Sequence, residues 1–124
     1  MRIIKEIEIE GKTATALFDT GAFNTYIVRR LLNGVPVSSL PVPYKVKLGG
    51  EELNVKEYCA IQGKIEGYSF STYVTPVSTL GKIDGKRLDV IIGALTMEQW
   101  EIILNPRDGT LSLEGLKRRE FTEY

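Results

Sequence analysis

Hydrophobic alternation with a period of two constrains this chain more than any other feature. Ile7 and Ile9 alternate with Glu6, Glu8 and Glu10, and Ala14, Ala16 and Phe18 alternate with Thr13, Thr15 and Leu17. That is the pattern of strands with one buried face. Glu10-Gly11-Lys12 between the two runs reads as a hairpin turn. Further short strands are predicted over 42–48, 53–61, 68–74, 88–92, 101–104 and 110–113. Their separators are Gly49-Gly50, the stretches 63–67 and 81–85, and Pro106-Arg107-Asp108-Gly109. Short strands with turn residues at this spacing imply an all-β barrel or sandwich. Two segments depart from the pattern. Residues 27–33, followed by Gly34, read as a helical turn or two with a glycine cap, and residues 95–100 read as one short helix. The last residues, from about 115 to 124, carry no period and are expected to form a flexible tail. At 124 residues the chain has room for one domain, 1–124.

Composition then removes most catalytic chemistries. There is no histidine, which excludes Ser-His-Asp and Cys-His catalysis and every zinc site that needs imidazole. The single cysteine, Cys59, can form neither an internal disulfide nor a thiolate cluster, and is expected to be a small buried hydrophobe. No metal or cofactor is implied. Lys plus Arg and Asp plus Glu are both 16, so no basic face points to nucleic acid. No stretch approaches the ~20 apolar residues of a membrane span, and the first residues lack the apolar run of a signal peptide. A cytoplasmic protein with no membrane partner is the expectation.

The chemistry-bearing segment is Ala16-Leu17-Phe18-Asp19-Thr20-Gly21-Ala22. An apolar strand ends in a carboxylate, the strand fixes the Asp19 backbone, and a glycine just beyond permits a tight turn or a close backbone approach. Thr20 supplies a hydroxyl that can buttress the turn. One carboxylate alone is a poor catalyst of amide hydrolysis. Two within ~3 Å share one proton, so that one acts as general base on a water while the other donates to the carbonyl or the leaving nitrogen. Only one Asp-Thr-Gly occurs, so the second Asp must come from another chain. A two-fold axis that places Asp19 opposite Asp19 would supply it; a different partner protein is the other route. Alone, the tripeptide is equally an ordinary turn.

Its surroundings add a resemblance. Leu17-Phe18-Asp19-Thr20-Gly21-Ala22, together with Asp89-Val90-Ile91-Ile92-Gly93 and the short helix that follows, resembles the active-site loop and the second signature of the retroviral-type aspartic proteases, the retropepsins. Residues 61–74 are similar to the family's central hairpin, and residues 44–58, with Gly49-Gly50 at the tip, to its flap. The resemblance, to a cellular bacterial or archaeal member, implies a small closed barrel-like acid-protease fold with one or two short helices. It also implies a homodimeric aspartic endopeptidase whose flap closes over an extended peptide. Asp19 would be catalytic, with Thr20 and Gly21 in its supporting loop. Ala22, Leu48, Gly49, Gly50 and Ile92 would line the substrate site, and activity would favour mildly acidic pH. Two departures stand out. The acidic residue and the arginine that pair in retroviral members are replaced by Phe23 and Ala94, and Glu51 and Glu52 follow the flap glycines. A non-catalytic dimeric peptide-binding or scaffold module on the same fold is the alternative. Asp84-Gly85 and Asp108-Gly109 read as turns, and Asp89 as a strand-end hydrogen-bonding residue.

Overall fold

The computed structural model describes residues 2–124. In chain order the elements are β1 (Arg2–Ile9), β2 (Lys12–Asp19), β3 (Tyr26–Val28), a 3₁₀ turn (Arg29–Leu32), β4 (Ser38–Leu48), β5 (Glu51–Ile65) and β6 (Tyr68–Val77). There follow β7 (Lys82–Ile83), β8 (Lys86–Arg87), β9 (Val90–Ile92), α1 (Ala94–Trp100), β10 (Ile103–Asn105), β11 (Thr110–Ser112) and α2 (Glu114–Arg118). The main sheet runs β1-β2-β9-β3-β6-β5-β4, and β1 also pairs with β5, so that its strands close into a ring with β4 outside it.

The predicted hairpins form where the turn residues place them. Glu10 and Gly11 both have positive φ, as a two-residue turn matched to the strand twist requires, and they set the register Ile9↔Lys12. Gly49-Gly50 do the same between β4 and β5, with Leu48 opposite Glu51. β4 carries Pro41 and Pro43 and shifts register between Ser39 and Tyr44, which fits a strand at the sheet edge where a missing N–H leaves no partner unbonded. Closure of the ring depends on Gly63. A β-carbon there would lie 2.3 Å from the Glu8 carbonyl oxygen, at the point where β1 meets β5.

The main core gathers the inward faces of β1, β2, β5 and β6 around Phe18, Ile27, Ile61, Ile65 and Ile92. A second apolar cluster forms on the other face of β2 and β9 from Leu17, Ala22, Tyr26, Val77, Leu88 and Ile91.

Two expectations are corrected. Residues 27–33 are not wholly helical, because Tyr26–Val28 fills the gap between β9 and β6 as a short buried strand and only Arg29–Leu32 turns as a 3₁₀ segment. Three residues are too few to show a period. The expected tail from about 115 begins inside α2, where Leu116 is fully buried in the main core. Beyond it, Phe121 meets the Trp100 ring edge-on at 5.5 Å, and Arg118 grips both Glu101 carboxylate oxygens at 2.9 Å.

Candidate active site

Asp19 ends β2, which pairs in parallel with β9 through Ala16↔Val90, Leu17↔Ile91 and Phe18↔Ile92. β9 threads between β2 and β3 and is buried on both faces, as its unbroken apolar run Val90-Ile91-Ile92 demands. The half-buried Asp19 carboxylate sits at the mouth of this arrangement. Its Oδ1 accepts a 2.8 Å hydrogen bond from the Gly21 N–H, and the Asp19 carbonyl accepts one of 3.1 Å from the Ala22 N–H. A β-carbon on Gly21 would lie 3.2 Å from that same Oδ1. The turn therefore orients the carboxylate and leaves little room for a side chain beside it.

Behind the turn, three successive amides hold the loop. The Gly93 N–H donates to Thr25 Oγ1 at 3.1 Å, the Ala94 N–H to the Ala22 carbonyl at 2.8 Å and the Leu95 N–H to the Phe23 carbonyl at 3.1 Å. The backbones approach so closely that a β-carbon at Gly93 would fall 2.1 Å from the Asn24 carbonyl oxygen. Here glycine is required by space. Asp89, at the start of the same segment, accepts from the Thr15 N–H through Oδ2 at 2.9 Å and from Arg30 through Oδ1. It is a strand-end hydrogen-bonding residue, as the sequence suggests.

The flap hairpin β4–β5 folds toward this loop. Val46, Leu48 and Leu53 pack against the second apolar cluster, which contains Ala22. The structure thus brings Asp19, Thr20, Gly21, Ala22 and Leu48 into one region, with Gly49 and Gly50 exposed at the hairpin tip. Ile92 is placed elsewhere: it is 0% exposed and packs in the main core, on the opposite face of the sheet. The residue on the Asp19 face is Ile91. Counting back by twos from Asp19 gives Leu17, and the register sets Leu17 opposite Ile91. The pairing of β2 with β9, which one sequence does not display, is what distinguishes the two isoleucines. Leu17, Tyr26 and Leu53 share that face and also escape sequence reading.

Beside the loop, a groove of about 400 Å³ runs along the flap base, lined by Asn24, Tyr44, Tyr58, Tyr73 and Leu95 among others. Asn24 Nδ2 donates to the Tyr44 hydroxyl at 2.9 Å, linking loop to flap. Burial pushes the Tyr26 phenol above its ordinary range, opposed by a hydrogen bond from Asn24. Phe23 is 66% exposed and Leu95 46%, so an apolar edge flanks the loop. No group of His, Cys, Asp and Glu among the described residues could hold a metal ion.

Most of the chain can be laid on a solved structure, the retroviral protease-like domain of Ddi1 from Leishmania major. The two agree with a TM-score of 0.57 over 92% of this chain and 89% of that one, at 17% sequence identity. The fold is retropepsin-like. No family model matches the chain, and no curated protein matches it either. β10–β11 and α2 extend the chain beyond α1.

Proposed function

We propose that this chain is an aspartic endopeptidase that acts as a homodimer, each subunit contributing one Asp19. The observation that carries the reading is the orientation of the Asp19 carboxylate by the Gly21 amide, at the mouth of a loop held from behind by Gly93, Ala94 and Leu95. The remaining step is to bring a second such carboxylate opposite the first. The pair then holds one proton. The charged member takes a proton from a water as the water oxygen attacks the peptide carbonyl carbon, and the protonated member donates to the carbonyl oxygen. Collapse of the resulting diol returns a proton to the leaving nitrogen and breaks the carbon–nitrogen bond. The substrate would lie extended under the flap, its backbone paired with strand edges and its side chains against the face of Leu17, Ala22 and Ile91, with Leu48 and the Gly49-Gly50 tip above. A cytoplasmic location and the absence of nucleic-acid or membrane partners belong to the same reading.

A second reading, a non-catalytic dimeric peptide-binding module, is favoured by one observation. The 400 Å³ groove at the flap base does not include Asp19. Cleavage of an unbiased peptide library between pH 4 and 7, with wild type and Asp19→Asn in parallel and the oligomeric state read by sedimentation, separates the two. Cleavage lost in the mutant, with the dimer intact, supports the peptidase. A dimer that cleaves nothing supports the binding module, and an active Asp19→Asn protein overturns the mechanism.

A further inference from the structure

Three buried threonines stand behind the loop and take no part in the chemistry described so far. Thr25 and Thr96 share a hydrogen bond of 2.6 Å between their hydroxyls, and Thr96 and Thr72 share one of 2.7 Å. Thr25 and Thr96 are each 2% exposed. The two ends of the chain fix its direction. Thr25 Oγ1 receives the Gly93 N–H, and the Thr72 hydroxyl donates to the Tyr73 carbonyl at 3.5 Å. Every hydroxyl then has an acceptor if Thr25 donates to Thr96 and Thr96 donates to Thr72, which satisfies all of these buried groups at once. This relay ties the residue before β3, α1 and β6 to the amide that begins the three-amide clamp.

We propose that Thr96 is a positioning residue for the Asp19 loop. By accepting the Thr25 hydrogen it turns a Thr25 lone pair toward the Gly93 N–H, and so sets the register in which Ala94 and Leu95 grip the Ala22 and Phe23 carbonyls. Without the Thr96 oxygen, the Thr25 hydroxyl loses the acceptor for its proton and is free to turn away from the Gly93 N–H. None of the three hydroxyls is hydrogen-bonded to Asp19, so the loss reaches the carboxylate through the geometry of the turn. The three threonines also line the groove at the flap base, and a change in KM rather than kcat would mark that second role. The inference rests on the peptidase reading for its kinetic consequence alone; its structural consequence is independent.

The test compares Thr96→Val, which keeps the shape and loses the hydroxyl, with Thr96→Ser, which keeps the hydroxyl. Both are made in the full chain. On a peptide that wild type cleaves, Thr96→Val is expected to lower kcat about tenfold or more with KM nearly unchanged and the oligomeric state retained, and Thr96→Ser to restore kcat to within about twofold. In parallel, amide hydrogen exchange is expected to quicken about tenfold at Gly93, Ala94 and Leu95 in Thr96→Val, while Ile61 and Ile65 in the main core keep their protection. Equal kcat in the two variants, or exchange that quickens uniformly across the core, overturns the proposal, the latter marking a role in global stability alone. If wild type cleaves nothing, the peptidase reading fails and the exchange pattern decides the positioning role by itself. If Thr96→Val does not fold, Thr72→Val against Thr72→Ser applies the same readouts at the far end of the relay.

Discussion

The loop that carries Asp19 and the flap that faces it are built on opposite principles. The loop is fixed through backbone: amides of Gly21, Gly93, Ala94 and Leu95 each have a defined acceptor, and Gly93 leaves no space against Asn24. The outer flap is fixed through few side chains. Its β4 strand is exposed along most of its length, and Val46, Leu48 and Leu53 are half-buried against the second cluster. Backbone hydrogen bonds and close packing hold a carboxylate to within fractions of an ångström, whereas a half-buried apolar contact can part and re-form at modest cost. A site that must hold its acid still and let an extended substrate enter needs both.

The same substitution made in both regions should expose the difference most strongly. Gly93→Ala drives a β-carbon into the Asn24 carbonyl and forces the backbone apart, with an expected loss of about 3 kcal/mol or more in denaturant unfolding. Gly50→Ala meets no atom within 4 Å and has only a φ of +84° to accommodate, which costs about 1 kcal/mol. Equal losses at the two sites would mean that the loop yields as readily as the flap.

Next in size is a change that loosens the flap alone. Leu48→Ser removes an apolar contact with the cluster around Ala22, and should lower stability by about 1 kcal/mol. On the peptidase reading, KM should rise more than kcat falls, because the flap binds and the loop reacts. A kcat that falls with KM unchanged would place Leu48 with the loop instead.

The sequence displayed the fold through its turns and its alternation. Glu10-Gly11, Gly49-Gly50 and Asp84-Gly85 all became two-residue turns with positive φ, because a type I′ turn admits few other residues. The acid at the end of an apolar strand was legible for the same local reason. Legibility stopped where long-range pairing decides. Ile91 and Ile92 are chemically identical neighbours in a strand buried on both faces, and only the pairing with β2 tells which one faces the site. Ile27 and Val28 read as the start of a helical turn because the three residues of β3, between two other strands, have no period to show. The threonine relay joins residues 24 and 71 positions apart in the sequence, and no local pattern announces it.

A pH effect separates the two regions at intermediate size. Burial raises the Tyr26 phenol above its ordinary value of 10.0, so the folded chain keeps a proton that the unfolded chain releases above that pH. The stability it contributes is complete below pH 10 and is lost as pH rises through the raised value. Tyr26→Phe has no proton to lose, and its stability relative to wild type should improve steadily above pH 10. The difference should be flat between pH 6 and 9, as followed by chemical denaturation. A difference that stays constant beyond pH 10 would mean that the loop side of the cluster admits water as freely as the flap does.

The smallest effect lies at the flap's own surface. Lys45 and Glu52 pair at 3.3 Å with both side chains more than half exposed, so water and salt screen the attraction and ordering two long side chains offsets it. A double-mutant cycle with Lys45→Met and Glu52→Gln should return a coupling below about 0.5 kcal/mol that vanishes in high salt. The cycle sharpens the contrast because Arg30 and Asp89 pair at the base of the loop with the Asp89 side chain 12% exposed, and Asp89 also receives the Thr15 amide. Removing Asp89 strands a backbone donor as well as a cation, so the corresponding coupling should be larger and less sensitive to salt. If the flap pair proved the stronger of the two, the flap would be held by its charges, and the division between a fixed loop and a yielding flap would fall.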